Sequence, residues 1–311
     1  MRIAILGGTG FLGTALVERL LAADYKDIVV VSRRSSNGKH HTVDLRDESE
    51  VRRFFETVKP DIAINLAAFV GDIGLNRDNP GKMFYDNIRI GAFCTHHACI
   101  TGVKKYIYVG TVCGYPKYTE VPFREDDLWN GFPEETNAPY GIVKKSIGLM
   151  MQGYAAQYGM NGVFLIPVNM YGPYDNFDLE TSHVIPALIR KMVEAKEQNR
   201  DVTLWGTGSA TREFLYVYDC AEAIRKAMET HTGCEPINVG SGQEISIADL
   251  AEKIKDIVGF EGEIIWDASK PDGQPRRCLD TSRAYEKFGF KASTPFDDGL
   301  RKTVEWYVKQ R

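Results

Sequence analysis

The chain has 311 residues, 43% of them hydrophobic and 26% charged, with 29 glycines and 13 prolines; this usage excludes disordered, collagenous and coiled-coil classes. A net charge of −4 and a pI near 5.9 give no electrostatic footprint for nucleic acid or an anionic membrane, so neither is expected as a partner. Six cysteines without paired spacing, a strand pattern directly after Met1 and no run of roughly 18 apolar residues predict a soluble cytoplasmic protein with reduced thiols.

In chain order, Ile3–Leu6 is a short apolar run that predicts a buried strand, and Phe11–Ala22 is expected to place Leu12, Leu16, Leu20 and Leu21 on one helical face. Ile28–Val31 is β-branched and predicts a second strand. Val51–Val58 predicts a helix, Ile62–Leu66 and Tyr106–Val109 predict strands, and Met83–Gly102 between them predicts one long helix. Asn137–Tyr158 is a second long helical stretch, followed by a strand over Gly162–Val168. Beyond it come an aromatic turn-rich loop (Tyr171–Phe177), a helix over His183–Ala195 and a short strand over Val202–Trp205. Helices over Ser246–Val258, capped by Ser246, and Pro295–Lys309 complete the pattern. The strand–helix alternation predicts an α/β fold: a Rossmann doubly wound parallel sheet with a smaller C-terminal α/β substrate lobe. The expected division is a dinucleotide-binding domain over 1–169, to which the chain returns around 212–240, and a substrate lobe over 170–311.

Gly7-Gly8-Thr9-Gly10-Phe11-Leu12-Gly13 lies between the first strand and the first helix. In a dinucleotide site Gly7 permits the tight turn, Gly10 clears the approach of the pyrophosphate, and Gly13 lets helix and sheet pack closely. Thr9, Phe11 and Leu12 complete the turn and are expected to border the cofactor. The end of the second strand offers Ser32-Arg33-Arg34. Guanidinium groups there suit a 2′-phosphate, so NADP is expected rather than NAD. Asp44-Leu45 follows the next short strand, where the carboxylate is expected to reach the adenine amino group.

Tyr140 and Lys144 are one helical turn apart and share a face. A phenol with an ordinary pKa near 10 is a poor proton exchanger at neutral pH, and a neighbouring ammonium is expected to lower it. With the hydroxyl of Thr111 after the strand Tyr106–Val109, the pair could deliver a proton to a carbonyl oxygen during hydride transfer. Cys94-Thr-His-His-Ala-Cys99 carries metal-ligand types, but on a helix its two cysteines point to different faces, and no metal is expected. His40-His41 reads as a solvated polar loop.

Together with Gly131–Tyr140, Tyr171-Gly-Pro-Tyr-Asp-Asn-Phe177, Ser182-His-Val-Ile-Pro-Ala-Leu-Ile189, Arg212-Glu-Phe-Leu-Tyr-Val217 and Lys270-Pro-Asp-Gly-Gln-Pro-Arg276, these motifs identify a resemblance over nearly the whole chain. The sequence resembles the extended short-chain dehydrogenases/reductases that act on nucleotide sugars, and among them the GDP-L-fucose synthases. The resemblance implies NADPH as cofactor, a GDP-linked 4-keto-6-deoxy sugar as substrate, epimerisation at C3 and C5, then reduction at C4. It implies that Cys113 and His183 are the proton-exchanging pair. It places Ala67, Pro167, Asn169 and His183 beside the dinucleotide, with Asn169 also toward the sugar. Lys191, Trp205, Arg212 and Lys270 are then expected to line the nucleotide-diphosphate pocket, where cationic side chains pair with phosphate. The two long helices imply a homodimer.

The chain departs from that pattern at its glycine turn, where the family has Gly-His-x-Gly. Thr111 stands where the family has serine, and Gly114 replaces a bulkier residue beside Cys113. After Ala67-Ala68 the family shows lysine and then two glycines; this chain has Phe69-Val70-Gly71-Asp72. Phe69 and Asp72 are expected near the sugar. These changes suit a C4-reductase or single-site epimerase/reductase of a related GDP-4-keto sugar, such as a 6-deoxy-heptose. A dinucleotide sensor without catalysis is the rival from another class, and it would not need Tyr140, Lys144 and Thr111 together.

Overall fold

The computed structural model describes residues 1–34, 40–70, 77–270 and 274–311. Its first half runs β1 (Ile3–Leu6), α1 (Phe11–Ala22), β2 (Ile28–Ser32), β3 (His41–Thr42), α2 (Glu48–Val58), β4 (Ile62–Asn65), α3 (Pro80–Ile100), β5 (Lys105–Val109) and α4 (Ala138–Tyr158). The second half continues β6 (Gly162–Pro167), β7 (Asn169–Tyr171), α5 (Val184–Gln198), β8 (Val202–Trp205), β9 (Thr211–Tyr216) and α6 (Val217–Thr230). It ends with β10 (Gly233–Val239), β11 (Glu244–Ser246), α7 (Ile247–Val258), β12 (Ile264–Asp267), α8 (Ser282–Phe288) and α9 (Phe296–Gln310).

Seven strands form one sheet in the order β3-β2-β1-β4-β5-β6-β10, and every neighbouring pair is parallel. The expected doubly wound sheet is therefore present. β1, β4 and β6 are buried along their whole length, as strands covered by helices on both faces must be. Chain order reverses beside β1, and ligands of such sheets bind outside the carboxyl ends of the strands at that point. The register pairs Leu6 with Asn65 and Asn65 with Tyr108. The segments leaving β1, β4 and β5 therefore emerge side by side.

Local chemistry sets the boundaries. Asp47 caps α2, its Oδ1 accepting from the amides of Ser49 at 2.8 Å and Glu50 at 3.2 Å. Ser246 caps α7 by accepting from the amide of Asp249 at 3.0 Å. Two apolar clusters form. The larger combines both faces of the seven-stranded sheet with α6, β10 and α8. The smaller joins Tyr171 of β7, α5, β8, Phe214 and Tyr216 of β9, α7 and α9.

Two local expectations give way, one of them only in part. The sequence assigned no element to 206–245, where the structure has β9, α6, β10 and β11. β10 contains Pro236, and its register with β6 shifts between Gly233 and Pro236; only the outermost position of the sheet tolerates a missing amide there. The solvated loop expected at His40-His41 holds in part: His41 is exposed but lies in β3 opposite Val31, its ring meeting Phe54 edge-on at 5.9 Å, while His40 is half-buried with its Nδ1 shielded from solvent.

Candidate active site at the carboxyl edge of the sheet

The glycine turn follows β1 directly. Gly7 has φ +83°, and a Cβ on it would lie 3.1 Å from the main chain of Ala67. A Cβ on Gly13 would collide with the carbonyl of Gly7 and lie 2.6 Å from Gly8 Cα. Both positions require glycine, one for conformation and both for space. Gly10 caps α1 without a side-chain hydrogen bond, and no acidic residue occupies the first turn. Thr9 and Gly10 are exposed, Phe11 is half-buried and Leu12 is buried. The helix therefore presents bare amides and a positive dipole end to the cleft, which fits a pyrophosphate.

Arg33 and Arg34 are exposed beyond β2, where Ser32 Oγ donates to the Arg34 carbonyl at 2.6 Å. Asp44 is already engaged. Its Oδ1 accepts from Arg46 Nε at 2.9 Å and its Oδ2 from Arg46 Nη2 at 2.6 Å. Those bonds hold its carboxyl down at about 2. Arg46 continues to Asp86 at 3.3 Å, and Asp86 to Lys82 at 2.5 Å. The adenine contact expected of Asp44 thus competes with a two-pronged arginine. Leu45 is buried and belongs to the larger apolar cluster.

The segment after β4 is pinned by two buried asparagines. Asn65 donates to Tyr106 OH at 3.0 Å and accepts from the amide of Ala67 at 3.0 Å. Asn87 of α3 accepts from the amide of Phe69 and donates to its carbonyl, each at 2.8 Å, and also donates to the carbonyl of Met83 at 2.8 Å. Lys82 Nζ lies 4.9 Å from the centre of the Phe69 ring. Asp72 falls outside the described residues, as do 271–273 of the Lys270–Arg276 motif.

Tyr140 and Lys144 stand on α4, which presses against the short turn Val112–Gly114 after β5. A Cβ on Gly141 would collide with the Cys113 carbonyl oxygen and lie 2.7 Å from its carbon. Thr111 starts that turn, its Oγ1 accepting from the amide of Cys113 at 3.2 Å. Lys144 is buried, and its Nζ donates to the carbonyl of Val109 at 2.8 Å. The ammonium lies 4.6 Å from the Tyr108 ring centre and 5.8 Å from that of Tyr140. Burial lowers Lys144 to about 7. It also raises the Tyr140 phenol, and a charge on Cys113 would add to that rise. The expected lowering of the phenol by Lys144 is therefore reversed. Desolvation outweighs an ammonium that is itself easily discharged, and Tyr140 holds its proton until a stronger base develops beside it.

One residue of this cluster escaped the sequence reading. Arg277 Nη1 is 4.0 Å from Cys113 Sγ, and its Nη2 donates to Gln274 Oε1 at 2.9 Å. The only local signal was the basic pair Arg276-Arg277 ending the Lys270 motif.

Apart from Pro167, which belongs to the seven-stranded sheet, the remaining residues stand on or beside the elements of the second cluster. Pro167 ends β6, and Asn169 begins β7 opposite Phe214. His183 is exposed at the N-terminus of α5, with Lys191 two turns further along. Lys191 is half-buried, and burial lowers its ammonium. The loop before His183 is laced internally: Asn176 Nδ2 donates to Thr181 Oγ1 at 2.8 Å, and the amide of Ser182 donates to the Asp178 carbonyl at 2.8 Å. Burial pushes the Asp175 carboxyl in that loop up to about 7. Trp205, 69% exposed at the end of β8, has Lys270 Nζ 5.8 Å from its ring centre. Arg212 of β9 donates from Nη1 to the Thr211 carbonyl at 2.7 Å.

Residues 3–240 match the model of the NAD dependent epimerase/dehydratase family. The chain belongs to that family. Among curated relatives, "Probable GDP-L-fucose synthase 1" of Oryza sativa subsp. japonica is 39% identical over 310 residues, which is 99% of this chain and 92% of that protein. A solved GDP-6-OMe-4-keto-L-xylo-heptose reductase from C. jejuni superposes with a TM-score of 0.92 at 29% identity, covering 100% of this chain and 98% of the other. A GDP-L-fucose synthetase from Naegleria fowleri bound to NADP gives 0.89 at 29% identity, covering 99% and 94%. The epimerase/dehydratase match includes the glycine turn, Tyr140, Lys144 and the Arg212–Val217 strand.

Proposed function

We propose that this chain is an NADPH-dependent epimerase/reductase of a GDP-linked 4-keto-6-deoxy sugar, exchanging protons at C3 and C5 and then reducing the C4 ketone. The observation that carries the reading is the joint placement of a reductive set (Tyr140, Lys144, Thr111) and a thiol, Cys113, whose main chain packs against Gly141 beside Tyr140 and is held by Thr111. A C4 ketone acidifies hydrogens at C3 and C5, so a thiolate and the imidazole of His183 can remove and return protons there.

The bound cofactor supplies a hydride. The bare amides of α1 and the Gly7–Gly13 turn hold its pyrophosphate, Arg33 and Arg34 its 2′-phosphate, with Ala67, Pro167 and Asn169 bordering the dinucleotide. Residues 1–169, with the returning segment around 212–240, form the NADPH domain. Residues 170–311, apart from that returning segment and α8, which packs with the larger cluster, form the sugar-nucleotide lobe, where Lys191, Trp205, Arg212 and Lys270 receive the GDP moiety. Tyr140 protonates the developing alkoxide while Thr111 hydrogen-bonds it.

Along α3, Tyr85, Ile88, Ala92 and His96 follow at helical spacing, and His96 Nδ1 meets Tyr154 OH of α4 at 3.0 Å. Phe84, Tyr85, Ile100, Leu149 and Tyr158 are exposed on these two helices. That apolar face supports a homodimer joined through α3 and α4. Among the described residues no helix is long and apolar enough to cross a membrane; a cytoplasmic location fits the reading.

The deciding experiment follows NADPH oxidation with GDP-4-keto-6-deoxymannose and identifies the product by NMR. Rapid turnover to GDP-L-fucose is expected. In Cys113→Ser, solvent deuterium should no longer enter C3 or C5, while an already epimerised ketone is still reduced; undiminished exchange overturns the role of Cys113. Phe69, where the family has lysine, favours a second reading, a GDP-4-keto-heptose reductase. Tight NADPH binding without turnover of the hexose would select it. Replacing Arg33 and Arg34 with alanine should raise the KM for NADPH by about 10- to 100-fold, the worth of a charge-assisted hydrogen bond or two. The KM for NADH should stay unchanged. Equal losses for both cofactors would remove the arginines from the 2′-phosphate.

A further inference from the structure

We propose that Arg277 is a positioning residue for Cys113: its guanidinium holds the thiol in place and stabilises negative charge on the sulfur. The proposal rests on Cys113 as a proton-transfer group. Arg277 is unlike the arginines around it. Arg276 pairs with Glu244, and Arg283 pairs with Glu125 and Asp126. Among the described residues no carboxylate lies within ion-pair distance of Arg277, and its Nε is buried without a hydrogen-bond partner. Its other contacts are a neutral carboxamide, Gln274 Oε1 at 2.9 Å, and Cys113 Sγ at 4.0 Å. A half-buried guanidinium without a carboxylate carries an uncompensated desolvation cost, and a thiolate is the counter-charge within its reach.

The arrangement is braced from both sides. Gln274 Nε2 donates to the carbonyl of Lys117 at 2.9 Å, so one carboxamide ties Arg277 to the chain four residues beyond Cys113. On the other side Thr111 Oγ1 holds the amide of Cys113. The guanidinium, the sulfur and the turn carrying it thus form a closed ring of contacts, made between segments 164 residues apart. No covalent step is added to the reaction. What Arg277 supplies is a cation beside the sulfur at the moment Cys113 takes part in proton transfer.

Alkylation tests this without any sugar. The intact protein is treated with iodoacetamide at neutral pH, and modification of each cysteine is followed by peptide mass spectrometry. Cys94, Cys220, Cys234 and Cys278 are buried and Cys99 is half-buried, so they act as internal references. Arg277→Gln should slow alkylation of Cys113 about tenfold, since reactivity follows thiolate content, with Cys99 unaffected; Arg277→Lys should retain most of the rate. Gln274→Leu, which keeps the cation but removes its brace, should fall between the two. Loss of bulk at 277 can only open access to the sulfur, so a slower reaction reports charge. Equal Cys113 rates in wild type and Arg277→Gln overturn the proposal, as does an unchanged rate in Gln274→Leu if Arg277→Gln fails to fold. With the ketone substrate, Arg277→Gln should slow deuterium entry at C3 and C5 more than reduction at C4. If Cys113→Ser still exchanges protons while the alkylation result holds, the pairing stands and the catalytic role of Cys113 falls.

Discussion

Tyr140→Phe is expected to lower the rate of ketone reduction by about 100- to 10,000-fold, the usual worth of a positioned general acid, while NADPH binding is largely kept. The phenol is the proton source in this reading, and burial keeps it protonated. Its loss leaves the developing alkoxide with the Thr111 hydroxyl but without its proton source, in a site where the neighbouring Lys144 is tied to the Val109 carbonyl. Stopped-flow hydride transfer, with cofactor affinity measured by fluorescence titration, checks both halves. A fall smaller than about tenfold would be too little for the general acid of this step. It would move the role to another hydroxyl, with Thr111 the nearest alternative.

Gly141→Ala should be nearly as damaging, although residue 141 carries no functional group. The new methyl would run into the main chain of Cys113, and a main chain yields far less readily than a flexible side-chain tip. Either α4 retreats, carrying Tyr140 and Lys144, or the turn bearing Thr111 and Cys113 gives way. Displacement of reacting groups by about 1 Å can cost about 100-fold, so turnover should fall by that order in both proton exchange and reduction. Gly153→Ala, on an open stretch of the same helix with no atom within 4 Å of the new Cβ, is the control and should be silent. An active Gly141→Ala would show that the contact between helix and turn is dispensable.

The parallel sheet was legible because its inner strands are covered on both faces and therefore appear as unbroken apolar runs, as Ile3–Leu6 and, up to Asn65, the strand from Ile62 do. The helix Phe11–Ala22 was legible because its apolar spacing follows a glycine turn. β10 was not. Its Glu235 and Pro236 contradict strand propensity, and what holds it is β6, far back in the chain. In the candidate site, Tyr140 and Lys144 could be paired from spacing alone, since one helical turn brings them together. The direction of their titration could not be read that way. Proximity suggests mutual stabilisation, and only burial reveals that desolvation prevails. Asp44 looked available because nothing in its pattern says that Arg46, two residues on, folds back over both its oxygens. Arg277 lay hidden because its partner is set by tertiary closure alone.

The carboxamide of Asn87 occupies both the amide and the carbonyl of Phe69, and Asn65 fixes Ala67 behind it. Every bond these two asparagines make to Ala67 and Phe69 is to main-chain atoms, so none depends on which side chain residue 69 carries. The ring can be exchanged for another group while the ribbon beneath it keeps its course. Position 69 is thereby free to vary, and the scaffold does not have to be rebuilt each time it does.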